Sequence, residues 1–493
     1  MKNKLLTILK LLSSLLILLS ILLLVPIIFI FIYNEPIGII KSFIYPSIIS
    51  LIIAYIIKYI TKDTAAKIDL PTSMILCAVA WIVISFLGGL PFVIGLSKSF
   101  VDSFFEAVSG FTTTGITVFT GLDQMSESII FWRSFIQWLG GLGILTFFLF
   151  ITFNVEGEIW QLFSAESHKI NSSRPVPNVF KTIKYFWGIY FLFTVTEIAL
   201  LTIVGMPIFD SLIHSLTTLS TGGFSNHDAS IAYYQMNGFK NYKTMEYIIT
   251  FFMFLGGANF LVHFKILTGS FEFALKDIEF KAYIKYIVIF TLLIVIGIFS
   301  MNNAWFENVE LAFRKTIFQV VSLMTTTGFG TEYIGSDFFP SIAKQIFILL
   351  MIIGGSVGST AGGIKVLRLE VLRKLFKREL KKIYLPKHAV IPVKIDKVIL
   401  EDQEVFKIPA LVYGWLYFII VGAAITALFS DLDAFQSLSG MASAVGNIGP
   451  FYFSVEKMIS LSPIIKLTYA FGMLAGRLEL IPVFILFNYK AWK

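Results

Sequence analysis

Long apolar runs separated by short polar links dominate this sequence. The first two, Leu5 to Ile32 and Ile37 to Ile60, each exceed the roughly 20 residues that an α-helix needs to cross a bilayer. A signal peptide explains the first run less well, because the run is too long and lacks a cleavage site of small residues. The runs do not alternate as the strands of a transmembrane β-barrel do. The pattern therefore predicts an all-α, polytopic membrane protein.

A short motif of glycine and threonine recurs four times along the chain. The copies are Ser109–Thr117, Leu219–Phe224, Met324–Gly330 and Ala444–Gly449. Aligned on Gly115, Gly222, Gly328 and Gly446, they lie about 105 to 120 residues apart. One such string is weak evidence, but four evenly spaced copies in the same apolar setting predict a fourfold internal repeat.

Each copy follows a short segment and lies between two apolar runs, which predicts a unit of helix, pore half-helix with glycine turn, and helix. The expected helices are Met74–Ile94, Asp102–Thr114 and Ile129–Phe153; Phe180–Val204, Asp210–Thr221 and Tyr247–Leu267; Tyr283–Phe299, Leu311–Thr327 and a run from Ile342; and Leu411–Phe429, Asp433–Val445 and Ile464–Phe487. With a leading transmembrane hairpin (residues 1–69), the four pore repeats (70–160, 161–270, 271–388 and 389–493) predict ten full spans around a central pore.

Charge assigns the two faces. The chain is 56% hydrophobic and 14% charged, with a net charge of +8, and its basic residues gather at both ends and in alternate loops. The residues that set the orientation are Lys2, Lys4, Lys58, Lys62, Lys67, Lys169, Arg174, Lys181, Lys265, Lys276, Lys281, Lys285, Lys490 and Lys493. By the positive-inside rule both termini are cytoplasmic, and the glycine turns open towards the external face.

One cytoplasmic stretch, Lys365 to Lys397, carries eleven Lys and Arg residues against three acidic residues. A basic run beside a membrane usually fixes orientation and contacts anionic lipid. Its position directly after a glycine-rich segment also makes it a candidate docking site for a cytoplasmic regulator. Within it, Val390–Ile399 alternates enough to predict a small hairpin.

The repeated motif suits a path for a dehydrated cation. Backbone carbonyls that line a narrow pore can replace the water around a bare ion, and glycine permits the backbone angles that aim them inward. The turn residues that would form such a candidate ion filter are Thr113, Thr114, Gly115, Ile116, Ser220, Thr221, Gly222, Gly223, Thr326, Thr327, Gly328, Phe329, Ala444, Val445, Gly446 and Asn447. Asp102, Asp210 and Asp433 are the predicted N-caps of three half-helices, while repeat three has Arg314 and Lys315 at this place.

A second candidate site is the segment Gly354–Gly363, which has five glycines in ten residues and interrupts the inner helix of repeat three. Non-helical backbone at membrane depth must be buried in protein or line a water-filled cavity. The segment is therefore a candidate gate below the filter, and close packing of helices through small residues is the alternative. The predicted gate residues are Gly354, Gly355, Ser356, Gly358, Ser359, Thr360, Gly362, Gly363 and Arg477.

Three single residues, Arg477, His263 and Cys77, are interpreted one by one. Arg477 is either an electrostatic barrier to the ion or a structural cation paired with Glu479 or with half-helix carbonyls. His263 is predicted to be a hydrogen-bonding core or interface histidine rather than a metal ligand, because no second histidine or cysteine stands at ligand spacing. Cys77, the single cysteine, is predicted to be packing.

The motifs together resemble the Trk/Ktr/HKT superfamily of K⁺ transporters over nearly the whole chain. The residues that carry the resemblance are the Thr-Thr-Gly and Thr-Gly-Gly-Phe-Ser turns, the strand Gly354–Lys365 and Ala475-Gly-Arg-Leu-Glu479. The extra leading pair of helices resembles the TrkH family rather than KtrB. The fourth turn, Val445-Gly-Asn447, departs from the threonine-rich pattern, which puts ideal fourfold selectivity in doubt.

The resemblance implies potassium uptake across the bacterial inner membrane, with K⁺ or Rb⁺ held by the filter residues. It also implies a homodimer in membrane lipid, seated on a cytoplasmic ring of TrkA-type nucleotide-binding subunits whose NAD or ATP state drives gating. This chain has no Rossmann or P-loop motif, so a nucleotide is expected on the partner, and neither an organic cofactor nor a nucleic acid is expected on this chain.

Other functions remain open at this point. A Na⁺-coupled or weakly selective transporter of the KtrB or HKT kind would use the same motifs, and a non-conducting membrane scaffold for the ring would share the fold. A membrane-embedded enzyme is disfavoured, since no paired carboxylates, Ser/His arrangement or metal cluster falls at a common depth. The sequence does not decide between passive and ion-coupled flow, the degree of K⁺ over Na⁺ selectivity, the oligomeric state or the regulating nucleotide.

Overall fold

The computed structural model describes residues 2–64, 69–143, 146, 179–301, 308–386, 388, 391–395 and 398–492. The end of the expected helix Ile129–Phe153 lies outside these residues, as does the expected boundary between repeats one and two. The chain begins with the helices Lys2–Leu22 and Ile27–Ile32, then a 3₁₀ turn, Ile37–Ile40, and the helix Lys41–Ile60. These segments form the expected leading hairpin, and the helices Lys2–Leu22 and Lys41–Ile60 pack against each other.

The same sequence of elements then occurs four times: a long outer helix, a half-helix, an extended loop and an inner helix. The outer helices 1 to 4 are Leu70–Leu96, Val179–Ile203, Ile278–Met301 and Asp402–Leu428. The half-helices 1 to 4 are Phe100–Phe111, Ile208–Leu219, Val309–Met324 and Ala434–Gly446. The inner helices 1 to 4 are Glu127–Gly141, Tyr242–Gly257, Ser341–Ile352 and Pro463–Arg477.

Smaller elements complete the described chain. They are the 3₁₀ turns Leu122–Gln124 and Ile485–Phe487, the helices Ala232–Met236, Phe260–Leu267, Phe271–Lys276, Val366–Lys382, Val455–Ser460, Ile481–Phe484 and Tyr489–Trp492, and the strands Lys394–Ile395 and Val398–Ile399. The two strands pair antiparallel, with Lys394 opposite Ile399, which confirms the small hairpin predicted in the basic stretch.

The described residues contain fewer long apolar helices than the ten full spans expected: six, or seven if the bent pair Tyr242–Gly257 and Phe260–Leu267 is one span. Six helices are long and apolar enough to cross a membrane, namely the two leading spans and the four outer helices. The inner helices, as far as they are described, are shorter. Inner helix 2 turns by 104° into the helix Phe260–Leu267, and inner helix 4 ends before Glu479 and Leu480, whose φ values of 57° and 70° are left-handed.

Glycines explain why inner helices 1 and 4 approach the half-helices so closely. A Cβ atom at Gly140 would lie 1.9 Å from the carbonyl oxygen of Phe111, at the end of half-helix 1. At Gly476 it would lie 1.9 Å from the carbonyl oxygen of Val445 in half-helix 4. No side chain fits at either place, so glycine is required for packing here, although it weakens a helix by roughly 1 kcal/mol relative to alanine.

The N-terminal caps differ from the expectation at two of three half-helices. Asp433 is the N-cap of half-helix 4 and forms a capping box with Gln436. In half-helix 1 the cap is Ser99, and Asp102 lies in the first turn, where it accepts a hydrogen bond from Lys466 at 2.6 Å. Half-helix 2 starts after Pro207, and Asp210 bonds to side chains of the following loop instead. Proline and serine already begin these helices, which frees each carboxylate for a tertiary contact.

Burial places the half-helices at the centre of the protein. In the most apolar stretch of outer helix 4 only 22% of the residues are buried, and in that stretch of outer helix 3 only 33% are. These helices therefore present broad apolar faces outward, as lipid contact requires. The half-helices, in contrast, are buried along most of their length, including Ser109, Thr217, Ser322 and Ser443 near their C-terminal ends. The polar interior that they line is where a functional site belongs.

Candidate functional site

All four half-helices end in the same way. Just beyond the end of each half-helix, a single residue takes a left-handed conformation. These residues are Thr113, Thr221, Thr326 and Asn447, with φ between 52° and 57°. The amide of the following residue donates to a carbonyl five residues back in each case: Thr114 to Ser109, Gly222 to Thr217, Thr327 to Ser322 and Ile448 to Ser443. This is the Schellman arrangement, which satisfies the last carbonyls of a helix and turns the chain sharply.

The four left-handed residues fix the register between the extended loops that follow the half-helices, numbered 1 to 4 in chain order, and correct the alignment drawn from the sequence. A left-handed glycine follows each cap by two residues, at Gly115, Gly223, Gly328 and Gly449. The counterparts of Thr113–Ile116 are therefore 221–224, 326–329 and 447–450. Ser220 is the C-cap of half-helix 2, and Ala444, Val445 and Gly446 belong to the last turn of half-helix 4. Aligning the motifs on their most similar glycines shifted loop 2 by one residue and loop 4 by three.

The four loops close into a ring. A Cβ atom at Gly115 would lie 2.3 Å from the carbonyl oxygen of Gly222, and one at Gly223 would lie 1.9 Å from that of Thr327. At Gly328 the distance to the carbonyl oxygen of Ile448 is 1.8 Å, and at Gly449 the distance to that of Thr114 is 3.2 Å. Each glycine thus faces the backbone of the next loop, in the order 1, 2, 3, 4 and back to 1.

Side chains hold each loop by different means. In loops 1 and 3, hydroxyl pairs brace the turn: Thr112 with Thr114 at 2.7 Å, and Thr325 with Thr327 at 2.8 Å. Asn447 braces loop 4, donating from Nδ2 to the Thr114 hydroxyl and to the carbonyl of Met473, both at 2.9 Å. The asparagine that departs from the threonine pattern is thereby explained, because asparagine tolerates the left-handed region better than a β-branched residue does.

A cavity of about 310 Å³ opens above the ring, on the face that the charge pattern assigns to the outside. All four left-handed glycines line it, together with Arg133, His227 and Glu332. Arg133 pairs with Glu106 at 2.6 Å, and both side chains are at most 1% exposed. Arg133 also donates to the carbonyl of Ser225 at 2.8 Å and lies 3.8 Å from the ring centroid of Phe224. This pair ties half-helix 1 to loop 2.

A second polar cluster links repeats one and two beside this cavity. His227 lies between two carboxylates, with Nδ1 at 2.5 Å from Asp123 and Nε2 at 3.0 Å from Asp210, and its ring stacks on Tyr233. Tyr234 also donates to Asp210 at 2.9 Å. Burial alone would lower the pKa of His227, but hydrogen bonds and negative charge from Asp210 and Asp123 outweigh it and raise the pKa above its usual value.

The glycine-rich segment predicted as a gate is non-helical and lies directly beneath the ring. Thr360 donates to the carbonyl of Leu219 at 2.9 Å, and the amide of Gly362 donates to the Thr326 hydroxyl at 2.7 Å. Glu279, at the start of outer helix 3, accepts the amides of Val357 at 2.7 Å and Leu367 at 3.2 Å. One buried carboxylate therefore connects the segment to the first turn of the helix Val366–Lys382.

Arg477 joins the ring to this segment. Its guanidinium donates to the Thr113 hydroxyl at 3.1 Å, to the carbonyl of Thr360 at 2.7 Å and to that of Gly141 at 2.6 Å, and it also bonds the carbonyl of Gly140. The expected partners were Glu479 or half-helix carbonyls, whereas the carbonyls that Arg477 contacts belong to inner helix 1 and to the glycine-rich segment. Glu479, proposed as one alternative partner, forms an ion pair with Arg368.

A second cavity, of about 100 Å³, lies beside the glycine-rich segment. Gly358, Gly362, Lys365 and Arg477 line it. Lys365 donates to the carbonyls of Ala361 and Gly362, so a cation also closes the lower end of the segment. The four left-handed glycines of the ring line the first cavity, whereas Arg477 and the glycine-rich segment line the second.

The remaining predictions for single residues are confirmed. His263 is buried and bonds through Nε2 to the carbonyl of Leu255 at 2.8 Å. Cys77 is fully buried in outer helix 1.

Fold and site together define a class of protein. It is a helical, multi-pass membrane protein in which four half-helices lead into extended loops that close into a ring. A family model described as a cation transport protein, TrkH, matches residues 39–492. The chain belongs to the TrkH family of cation transport proteins.

Individual relatives agree with this assignment. The Trk system potassium uptake protein TrkH of Escherichia coli (strain K12) is 32% identical over 476 residues, which cover 94% of each chain. An uncharacterized cation transporter of Methanocaldococcus jannaschii is 32% identical over 92% of this chain and 89% of its own. The crystal structure of the potassium transporter TrkH from Vibrio parahaemolyticus superimposes with a TM-score of 0.86 at 27% identity, covering 99% of both chains. These relatives are named as transport proteins, not enzymes.

The sequence analysis missed several residues that support the site. Glu106 and Arg133, Glu279, His227 and Gln137 each lie in apolar or loop sequence, without a motif around them. The available signal was their polarity, since ionisable residues inside a membrane segment usually have a partner and a role. Their partners come from other repeats, which a single sequence does not reveal.

The buried pair Glu106–Arg133 yields a prediction about stability. Glu106→Ala leaves Arg133 buried without its carboxylate, so we expect a loss of roughly 3–5 kcal/mol, measured as a large drop in the Tm of the detergent-solubilised protein. Lys243→Ala is the matched control, because it breaks a pair with Glu310 whose side chains are 53% and 45% exposed. That change is expected to cost at most about 1 kcal/mol. Equal effects of the two variants would contradict the assigned role of the buried pair.

The His227 cluster yields a prediction about pH. Because the folded pKa of His227 is raised, its stabilising contribution is complete below the unfolded pKa of about 6.5 and is lost as pH rises through the folded value. We expect the Tm to fall between neutral and alkaline pH in the unaltered protein and to fall less in His227→Gln. His388→Gln, at an exposed histidine, is the control. A pH dependence that survives unchanged in His227→Gln would refute the assignment.

Proposed function

We propose that this chain is the ion-conducting membrane subunit of a potassium uptake system, with K⁺ as the transported ion and Rb⁺ as its close substitute. The observation that carries the proposal is the closed ring of four loops, whose left-handed glycines line the outer cavity. The names of the relatives support the choice of ion, since those from Escherichia coli and Vibrio parahaemolyticus are potassium transporters. The organism's cytoplasmic membrane is the proposed location, with both termini inside.

The proposed selectivity filter consists of the backbone oxygens of Thr113–Ile116 and their counterparts 221–224, 326–329 and 447–450. Carbonyl oxygens in such a ring can replace the hydration shell of a potassium ion. The half-helices end at this ring with the negative poles of their dipoles, which adds a favourable field for a cation in a low-dielectric interior. The left-handed cap residues turn the chain so that these oxygens lie beyond the helix ends, free of helical hydrogen bonding.

The proposed gate is the segment Gly354–Gly363 together with Arg477. The segment lies directly below the ring and separates it from the lower cavity, so an ion can pass only if the segment moves. Its five glycines and small polar residues allow a change of path that a regular helix would resist. We propose that Arg477 acts mainly as a staple, since its donors bridge a loop residue, Thr113, to the segment through Thr360.

The proposed partners follow from the same family. The helix Val366–Lys382 continues directly from the gate segment and exposes basic residues and the apolar side chain of Phe376, which is 67% exposed. We propose that it docks a TrkA-like cytoplasmic ring, which would carry the NAD or ATP, and that the subunit works as a homodimer. Bound nucleotide would then bias the helix and, through it, the gate.

The test of the filter is a flux measurement on proteoliposomes. The unaltered protein should admit Rb⁺ in preference to Na⁺, and Gly115→Ser should reduce this preference by roughly tenfold or more. A side chain at Gly115 meets the carbonyl of Gly222 at 2.3 Å and must adopt a φ of 81°, which disturbs the ring.

Gly121→Ser is the matched control for this substitution. Gly121 also has a left-handed φ, of 76°, but nothing lies within 4 Å of its Cβ position. Its selectivity should match that of the unaltered protein. Unaltered protein that carries no ion, alone or with its partner ring, would favour a membrane scaffold, and equal loss in both variants would attribute the effect to backbone strain alone.

Two substitutions at Arg477 separate the staple from the electrostatic barrier. Arg477→Lys keeps the charge but loses the planar fork that reaches several carbonyls at once. If Arg477 is a staple, both Arg477→Lys and Arg477→Ala should raise single-channel open probability severalfold in planar bilayers. A lysine variant indistinguishable from the unaltered protein, beside a more conductive alanine variant, would show that charge alone is what matters.

A further inference from the structure

Inner helix 1 supports loop 2 along one face. Arg133, Gln137 and Gly141 follow at helical spacing, and each contacts this loop. Arg133 donates to the carbonyl of Ser225 at 2.8 Å, and a Cβ atom at Gly141 would lie 2.9 Å from the Cα atom of Ser220. Gln137 occupies the middle of this strip and is fully buried.

The amide of Gln137 makes two complementary hydrogen bonds to the backbone of loop 2. Its Nε2 donates to the carbonyl of Gly222 at 2.7 Å, and its Oε1 accepts from the amide of Phe224 at 3.0 Å. These bonds span Gly222 and Gly223, two consecutive glycines. Since glycine is the residue with the greatest backbone freedom, this is the loop that most needs an external brace.

Gln137 also occupies the space that a side chain at position 222 would need. A Cβ atom at Gly222 would lie 2.5 Å from both Cδ and Oε1 of Gln137. The counterparts of Gly222 in the other loops do have side chains: Thr114, Thr327 and Ile448. In loops 1 and 3 that threonine forms the hydroxyl pair that braces the turn. Loop 2 lacks this hydroxyl, and the Gln137 amide stands in its place.

The other inner helices show the reciprocal pattern. Gln137 stands three residues before Gly140, which packs on half-helix 1; Gly256 and Gly476 occupy the same register at half-helices 2 and 4. Three residues before these glycines stand Met253 and Met473, and the same spacing before Gly354 gives Met351. Within the described residues, the inner helix with glutamine at this position goes with the loop that has glycine at the position of Gly222. The inner helices with methionine go with the loops that have a side chain at that position.

We infer that Gln137 is a selectivity-positioning residue, whose amide replaces the missing threonine of loop 2 and fixes the carbonyls of Gly222 and its neighbours. This inference rests on the proposed function of the ring as a K⁺ filter. Gln137 touches no ion itself, and it acts through the loop backbone that it holds. Glutamine at position 137 and glycine at position 222 form an interdependent pair.

The test is a double-mutant cycle on Rb⁺ over Na⁺ selectivity in proteoliposomes. Gln137→Met removes both hydrogen bonds while keeping a side chain that the chain itself uses at this position. We expect it to lower the selectivity ratio roughly three- to tenfold, the effect of losing a net hydrogen bond or two. Gly222→Thr should also lower the ratio, because its side chain collides with the Gln137 amide. Its backbone is not the obstacle, since Gly222 lies outside the left-handed region.

The double variant Gln137→Met with Gly222→Thr recreates the methionine and threonine combination of the other repeats. We expect it to recover at least part of the selectivity that either single change loses. Met253→Leu, at the same register in inner helix 2 and fully buried, is the packing control and should leave selectivity unchanged. Tm and size-exclusion profiles establish that each variant is folded. If Gln137→Met does not fold, Gly222→Ala displaces the amide by a second route.

The outcomes separate the two levels of inference. Unaltered protein without K⁺ or Rb⁺ selectivity overturns the proposed function, and this inference with it. A selective unaltered protein whose folded Gln137→Met variant is equally selective overturns the role of Gln137 alone. Additive losses in the double variant overturn the pairing with Gly222, and a loss in Met253→Leu of the same size reduces the effect to packing.

Discussion

The structure depends on four residues that leave a helix in a left-handed conformation at the centre of a membrane protein. For Thr113, Thr221 and Thr326 this conformation is costly, on the order of 1–3 kcal/mol each, because a β-branched side chain crowds the backbone. Such strain persists only where the surroundings over-determine it. Here the surroundings are the Schellman bonds, the hydroxyl pairs and the adjacent loops, each of which faces a glycine of its neighbour.

The four loops have similar backbone conformations but are braced by different side chains. Loops 1 and 3 are braced by their own threonine hydroxyls, loop 4 by Asn447, and loop 2 by Gln137 from another repeat. A ring of four identical subunits has no such freedom, because any change occurs four times. In a single chain, substitutions can change one loop at a time, and Arg477 can lie beneath the ring on one side only. The asymmetry of the ring is therefore a consequence of having all four loops in one chain.

The sequence predicted the spans and the existence of four turns, because apolar length and a recurrent glycine motif are local signals. It did not predict the register of loops 2 and 4. The prediction aligned glycines, whereas the geometry is set by the left-handed residue, and Asn447 does not look like a threonine. The prediction that Asp102 and Asp210 are N-caps was wrong, because Ser99 and Pro207 occupy the N-cap positions of those helices. Supports such as Glu106 with Arg133 join different repeats, and no local pattern records such a contact.

The ring and the glycine-rich segment are not independent parts. The segment donates to the ring through Gly362, and Arg477 bridges Thr113 to Thr360. At its lower end, the amide of Val366 donates to the carbonyl of Gly355 at 3.1 Å, and Glu279 holds Val357 and Leu367 together. A displacement of the helix Val366–Lys382 must break or carry these bonds, because the helix begins where they end. Under the proposed function, a regulator that pulls on this helix acts on the filter as well as on the gate.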